Sequence, residues 1–153
     1  MSKIIQNKKV FFDYEILEKF EAGLELKGHE VKALKSGRGS IAGARVLIRG
    51  GEAFIVGMDI QPYQPANAPA GYDAGRTRRL LLHKKEIRFL EGKAKERGLT
   101  LVPISVYTKG NLVKLEFGAG RGKKKSDKRE AIKKREAQRK IEIINTAKVE
   151  SKQ

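Results

Sequence analysis

From Tyr14 to Leu26 the chain reads "YEILEKFEAGLEL", and apolar and polar positions alternate. Tyr14, Ile16, Phe20, Ala22, Leu24 and Leu26 are set against Glu15, Lys19, Glu21 and Glu25. A period of two predicts a half-buried strand. The helical reading, through Ile16, Leu17, Phe20 and Leu24, is the weaker one because Gly23 interrupts it. "GHEVKALKSG" then suits one or two helical turns between glycines. Residues 44–49 and 53–58 flank "GGE" and predict a hairpin. Residues 60–75, "IQPYQPANAPAGYDAG", hold three of the four prolines and predict a long irregular loop. Residues 80–97 carry Leu80, Ile87, Leu90 and Ala94 near one face and end before Gly98, the pattern of an amphipathic helix. Residues 99–107 and 112–117 flank "TKGN" and predict a second hairpin. In its second arm Val113, Leu115 and Phe117 alternate with Lys114 and Glu116.

The sum is five or six short, mostly antiparallel strands with one long helix and one or two short ones. A small β-barrel with helices packed on it fits this inventory, because closure removes exposed strand edges.

Charge changes the picture. The 153 residues carry a net +16, with a pI near 10.1 and 39% hydrophobic residues. That balance favours a polyanionic partner, nucleic acid before membrane. Residues 121–153 hold 13 Lys or Arg against 5 Asp or Glu; residues 1–120 hold 21 against 13. Half of the net charge therefore sits on about a fifth of the length, which also lacks aromatics. A boundary near Gly118–Gly122 follows: a β-barrel domain over 1–120 and a basic tail over 121–153. "FGAGRG" reads as a glycine hinge between them. The tail has fair helix propensity but no continuous apolar stripe. It is expected to be disordered when free and helical when a partner neutralises it. No apolar run has the length of a membrane span or signal peptide, and there is no cysteine. A cytoplasmic monomer is expected, with no membrane association.

Catalytic chemistry finds little support. His29 and His83 have no partners at metal-ligand spacing, so no metal is expected, and no cofactor. Glu15, Glu18, Glu21, Glu25 and Glu30 read as a solvated face rather than an acid/base pair. "GAGRGKKKS" departs from a phosphate-binding loop, because Phe117 takes the first glycine position and Lys124 follows Lys123. The chain reads as a non-enzyme. Four cationic clusters instead suit RNA phosphates: Lys8 and Lys9; Arg76, Arg78 and Arg79; Lys84, Lys85 and Arg88; and Arg121 to Arg129. With few aromatics, recognition of a folded RNA by shape and backbone fits better than stacking along a single strand. A structural ribosomal protein is the alternative.

"NKKVFFDYEI", "FEAGLELKGHEVKALKSG", "GEAFIVGMDIQPY", "RTRRLLLHKKEI", "GLTLVPISVYTKGNLVKLEFG" and "GRGKKKSDKRE" follow one another in this order. Together, from Asn7 to about Arg135, they resemble the SsrA-binding protein family, also called small protein B. The resemblance implies a barrel of the oligonucleotide-binding (OB) type and binding to the tRNA-like domain of transfer-messenger RNA (tmRNA). It implies entry into stalled bacterial ribosomes, with elongation factor Tu in the delivered complex, and tagging of the unfinished peptide in trans-translation. By resemblance Glu21, Leu81 and Lys114 match positions tied to RNA binding. Gly122, Lys123 and Lys124 match "GKK", and Asp127, Lys128 and Arg129 match "DKR", tied to RNA binding and to action on the ribosome. Ser126 departs from the His or Tyr that many members carry there. Leu81, being apolar, is expected to support the RNA surface by packing. Glu21 is expected to accept hydrogen bonds from the RNA or to orient an arginine. In the tail, Lys133, Lys134 and Arg135 are expected to meet ribosomal RNA of the decoding centre and messenger channel, as residues from about Asp127 to Ile144 form a helix there.

Overall fold

The structure, a computed structural model, describes residues 2–123. It is mainly β. β1 (Ser2–Gln6) leads into a single turn, α1 (Val10–Asp13), and the long strand β2 (Tyr14–Leu24). α2 (Gly28–Lys35), β3 (Gly39–Ser40), the hairpin β4 (Arg45–Arg49) and β5 (Glu52–Val56), and β6 (Asp59–Ile60) follow. The loop after β6 contains one 3-10 turn, Pro65–Asn67, and runs to β7 (Arg78–Leu81). α3 (Lys84–Lys95) and the hairpin β8 (Leu99–Lys109) and β9 (Leu112–Gly122) complete it.

Seven strands form one antiparallel sheet in the order β1-β8-β9-β2-β7-β5-β4, and β3 pairs separately with β6. The expected alternation is realised in β9 and in β2 from Phe20 onward, but a bulge between Ile16 and Glu18 turns Tyr14 and Ile16 to the other face of the sheet from Phe20, Ala22 and Leu24. Both hairpins turn on glycines with left-handed backbones: Gly50 and Gly51 (φ 59° and 74°) and Gly110 (φ 62°). L-residues with a Cβ rarely adopt these angles, so local chemistry sets the two turns.

Three expectations change. The sheet is not closed into a barrel: among the described residues β1 and β4 end it without pairing to each other. β4 does lie against β8, but α3 packs on both, and its Ile87 and Leu90 fill that side of the sheet. The helix begins at Lys84 rather than Leu80, because Arg78–Leu81 pairs as a strand with both β2 and β5. And "FGAGRG" is no hinge. Gly118 and Gly120 lie inside β9, between Lys19 or Ile16 of β2 and Val102 or Thr100 of β8. A Cβ on Gly118 would stand 2.8 Å from Ile16 Cγ2 and 3.1 Å from the Glu18 carbonyl oxygen. Glycine is needed there for close strand approach, not for freedom. The compact unit accordingly runs to Gly122.

The main core joins Phe117, Leu115, Val106, Ile55, Leu80 and Leu34, all essentially sealed from solvent. On the opposite face of the sheet Val10 of α1 covers Val102 and Ile104, with Tyr14 and Ile16 beside them. β8 is therefore covered on both faces, which explains its unbroken buried run from Leu101 to Tyr107.

Candidate nucleic-acid interface

Strand register brings together residues that are far apart in the chain. Lys114 of β9 pairs with Tyr107 of β8 on one side and Gly23 of β2 on the other, and Gly23 pairs with Leu81 of β7. Lys114 and Leu81 thus stand in one cross-strand row, separated by a residue with no side chain. A Cβ on Gly23 would lie 3.2 Å from that of Leu81, so the glycine lets Leu81 settle against the strand. The result is a dip of about 260 Å³ lined by Gly23, Leu26, Val31, Leu81, Leu112 and Lys114. Leu81 is 49% exposed and Leu112 is 60% exposed, while Leu80 is buried. Residues 80 and 81 point to opposite faces of the sheet. Leu81 is therefore not packing support beneath the surface; it is part of the surface.

Glu21 lies two residues before Gly23 and points outward. It accepts a hydrogen bond from the Tyr107 hydroxyl and lies 3.9 Å from the Lys109 ammonium. Burial, together with that carboxylate, pushes the Tyr107 phenol well above its ordinary pKa. Glu21 thus steadies a tyrosine and faces a lysine rather than an arginine.

Behind this face lies a buried ionic cluster that the solvated-face reading of Glu30 missed. Glu30 and Arg78 are both fully buried. Arg78 donates from Nε (2.9 Å) and Nη2 (2.7 Å) to Glu30 Oε2, and from Nη1 to the Met58 carbonyl (2.8 Å). Arg76 donates to both carboxylate oxygens of Glu30. The Lys27 amide adds a bond of 2.9 Å to Glu30 Oε1. Burial alone would raise the Glu30 pKa, but the Arg76, Lys27 and Arg78 hydrogen bonds outweigh it and hold the carboxyl at about 2. Tyr72 donates to the Ile60 carbonyl at 2.8 Å and accepts from Arg78 at 3.3 Å. The proline-rich loop is thereby tied to α2 and β7. A signal was present for Glu30, which falls three and four residues before Ala33 and Leu34, on the apolar face of α2.

The basic clusters are sorted by this geometry. Arg78 is removed as a phosphate contact, because the strand turns it inward beside Leu80. Arg76 is committed to Glu30 and largely covered. Arg79 is exposed but stands 3.7 Å from both Glu25 and Glu52. Lys8, Lys9 and Lys84 are exposed, Lys114 is half-buried on the outer face, and Gly122 ends β9 in the open with Lys123 beside it. Lys124, Asp127, Lys128, Arg129, Lys133, Lys134, Arg135 and Ile144 lie outside the described residues. No helix among the described residues is long and apolar enough to cross a membrane. Among these residues no group of three or more His, Cys, Asp or Glu is placed to hold a metal ion.

Comparison with known proteins gives a consistent result. A family model described as "SmpB protein" matches residues 4–146. An "SsrA-binding protein" of Burkholderia thailandensis is 49% identical over 145 residues, spanning 94% of this chain and 98% of the relative. One of Mesoplasma florum is 52% identical over 137 residues, 90% of this chain and 92% of the relative. A chain from a solved structure described as "tmRNA-SmpB: a journey to the center of the bacterial ribosome" superposes with a TM-score of 0.66. It is 40% identical and covers 84% of this chain and 93% of the other.

Proposed function

Because the chain belongs to the SsrA-binding protein (SmpB) family, we propose that it is the RNA-binding adaptor of trans-translation, acting on tmRNA and the ribosome. The observation that carries this at the level of residues is the cross-strand row. Lys114 and Leu81, with Glu21 two positions along, share one outward face across three strands whose register is locked by a buried core. A fixed surface of this kind can read a folded RNA by shape, with Lys114 on phosphate or ribose and the Leu81–Leu112 dip against an apolar sugar or base edge. The recognition domain ends with β9, and the basic segment after it is the part that acts on the ribosome. Its Lys133, Lys134 and Arg135 meet ribosomal RNA phosphates along the empty messenger channel. Messenger RNA in the channel would exclude it, so engagement reports a stalled ribosome. Elongation factor Tu accompanies the complex, the setting is cytoplasmic, the protein is a monomer, and it performs no catalysis of its own. β4 lying against β8 supports reading the sheet as a relative of the OB type.

Deleting all residues after Lys125 tests this division. The truncated protein should retain substantial affinity for the tRNA-like domain of tmRNA. In a reconstituted translation system it should no longer support peptide tagging on stalled ribosomes. Tagging at the normal rate would refute the role given to the segment after β9, and loss of RNA binding would refute the role given to the sheet.

A further inference from the structure

The end of β7 is where three depressions meet. The dip on the outer face shares Leu81 with a second one lined by Glu52, Arg79, Leu81, Leu82 and Lys84. That one shares Leu82 with a third, a cleft of about 220 Å³ on the inner side where α3 leaves the sheet. Its walls are Phe20, Leu82, Lys85, Glu86, Phe89 and Leu90. The cleft thus lies next to the RNA interface, past the end of β7.

Phe89 is 50% exposed, although burying a phenylalanine is worth about 1.5–3 kcal/mol. The ring is not loose. It stands 6.0 Å from Phe20, tilted by 59°, and Phe20 in turn stands 5.5 Å from Phe117, which is fully buried. A line of three aromatic rings therefore runs from the core to the surface. One cation lies near the outermost ring, Lys85 lines the cleft, and Lys84 lines the neighbouring depression. Lys93 Nζ lies 5.6 Å from its centroid, and Lys84, Lys85 and Arg88 form no salt bridge among the described residues. The nearby acids are occupied: Glu86 accepts from the His83 amide at 3.2 Å, and Glu18 lies 3.8 Å from Lys93. An apolar protein side chain would use the aromatic wall but leave Lys84 and Lys85 unanswered. An unpaired nucleotide uses both, with its base on the ring and its phosphates on the lysines.

We propose that the Phe20–Leu82–Phe89 cleft receives one unpaired nucleobase of the bound RNA, stacked on Phe89, with the flanking phosphate held by Lys84 and Lys85. The proposal rests on the RNA-binding reading above and adds one stacked base to recognition by shape. The test uses the full chain and the tRNA-like domain of tmRNA, carrying 2-aminopurine at one unpaired position at a time. With the wild-type protein, fluorescence at one position should be quenched on binding. Phe89→Ala should weaken binding about five- to 150-fold, the measured range for losing one base–aromatic stack. The slope of log K against log salt should not change, because no phosphate contact is removed. Phe89→Trp should restore both affinity and quenching, and Phe89→Leu should restore neither. Wild-type affinity for Phe89→Ala or Phe89→Leu, or no responding position, would overturn the stacking slot while leaving the RNA interface standing. Failure of the wild-type protein to bind this RNA at all would overturn the underlying reading instead.

Discussion

Glu30→Gln keeps the shape of the buried side chain and removes its charge, leaving the fully buried guanidinium of Arg78 without a counterion. Breaking a buried pair from one side costs about 3–5 kcal/mol, since desolvation of the remaining charge is no longer offset. The protonation equilibrium gives an independent figure. Lowering the carboxyl from 4.5 to about 2 corresponds to about 3 kcal/mol of interaction favouring the ionised form. The folded pKa lies below the unfolded one, so as pH falls the unfolded chain takes up the proton first. This stabilisation is complete above about pH 4.5 and is lost as pH falls toward 2. Urea unfolding of wild type and Glu30→Gln should therefore differ by about 3–5 kcal/mol at pH 7. The gap should narrow by about 3 kcal/mol between pH 4.5 and pH 2. The other carboxylates titrate in both proteins and cancel in the difference. Glu30→Met combined with Arg78→Met should recover part of the loss, because neither buried charge is then orphaned. Arg76, partly exposed, can turn to water. A difference below about 1 kcal/mol at pH 7, or one independent of pH, would refute the view that this cluster holds the loop and β7 in place.

Binding to tmRNA should weaken steeply with salt. For about four to eight phosphate contacts, titrations at several salt concentrations should give a log–log slope of about −3 to −7, and a flat dependence would remove the electrostatic account. Lys114→Ala and Leu81→Ala should both weaken RNA binding while leaving the melting temperature nearly unchanged. Both side chains lie on the outer face, where substitutions shift stability by less than about 0.5 kcal/mol. A fall in stability of about 2 kcal/mol or more for Leu81→Ala, the cost of a buried leucine, would show that the side chain packs inward after all. Gly118→Ala should destabilise by about 1–3 kcal/mol in urea unfolding, because its Cβ would meet Ile16 at 2.8 Å; unchanged stability would favour a hinge.

What the sequence determined by itself is whatever depends on short spacing. Period-two alternation in β9, and in β2 from Phe20 onward, specifies two faces of a strand wherever the strand lies. Gly50, Gly51 and Gly110 set their turns through backbone angles alone. The cationic excess and its concentration after residue 120 depend only on composition, and they pointed to a polyanionic partner before any contact was known. Tertiary structure decided what depends on partners far along the chain. "RRLL" is too short for its period to be read. It is a strand because β2 and β5 flank it, and pairing then sends Arg78 and Leu80 inward and Arg79 and Leu81 outward. Glu30 and Arg78 are 48 residues apart, and nothing near Arg78 in the chain marks the carboxylate that neutralises it in the interior. The glycines of "FGAGRG" suggest freedom when read alone. In the sheet Gly118 and Gly120 are demanded by Ile16 and Tyr14 of a neighbouring strand, which leave no space for a side chain. Burial, charge pairing and steric exclusion are properties of neighbours in space, and a linear pattern carries them only where those neighbours are also close in sequence.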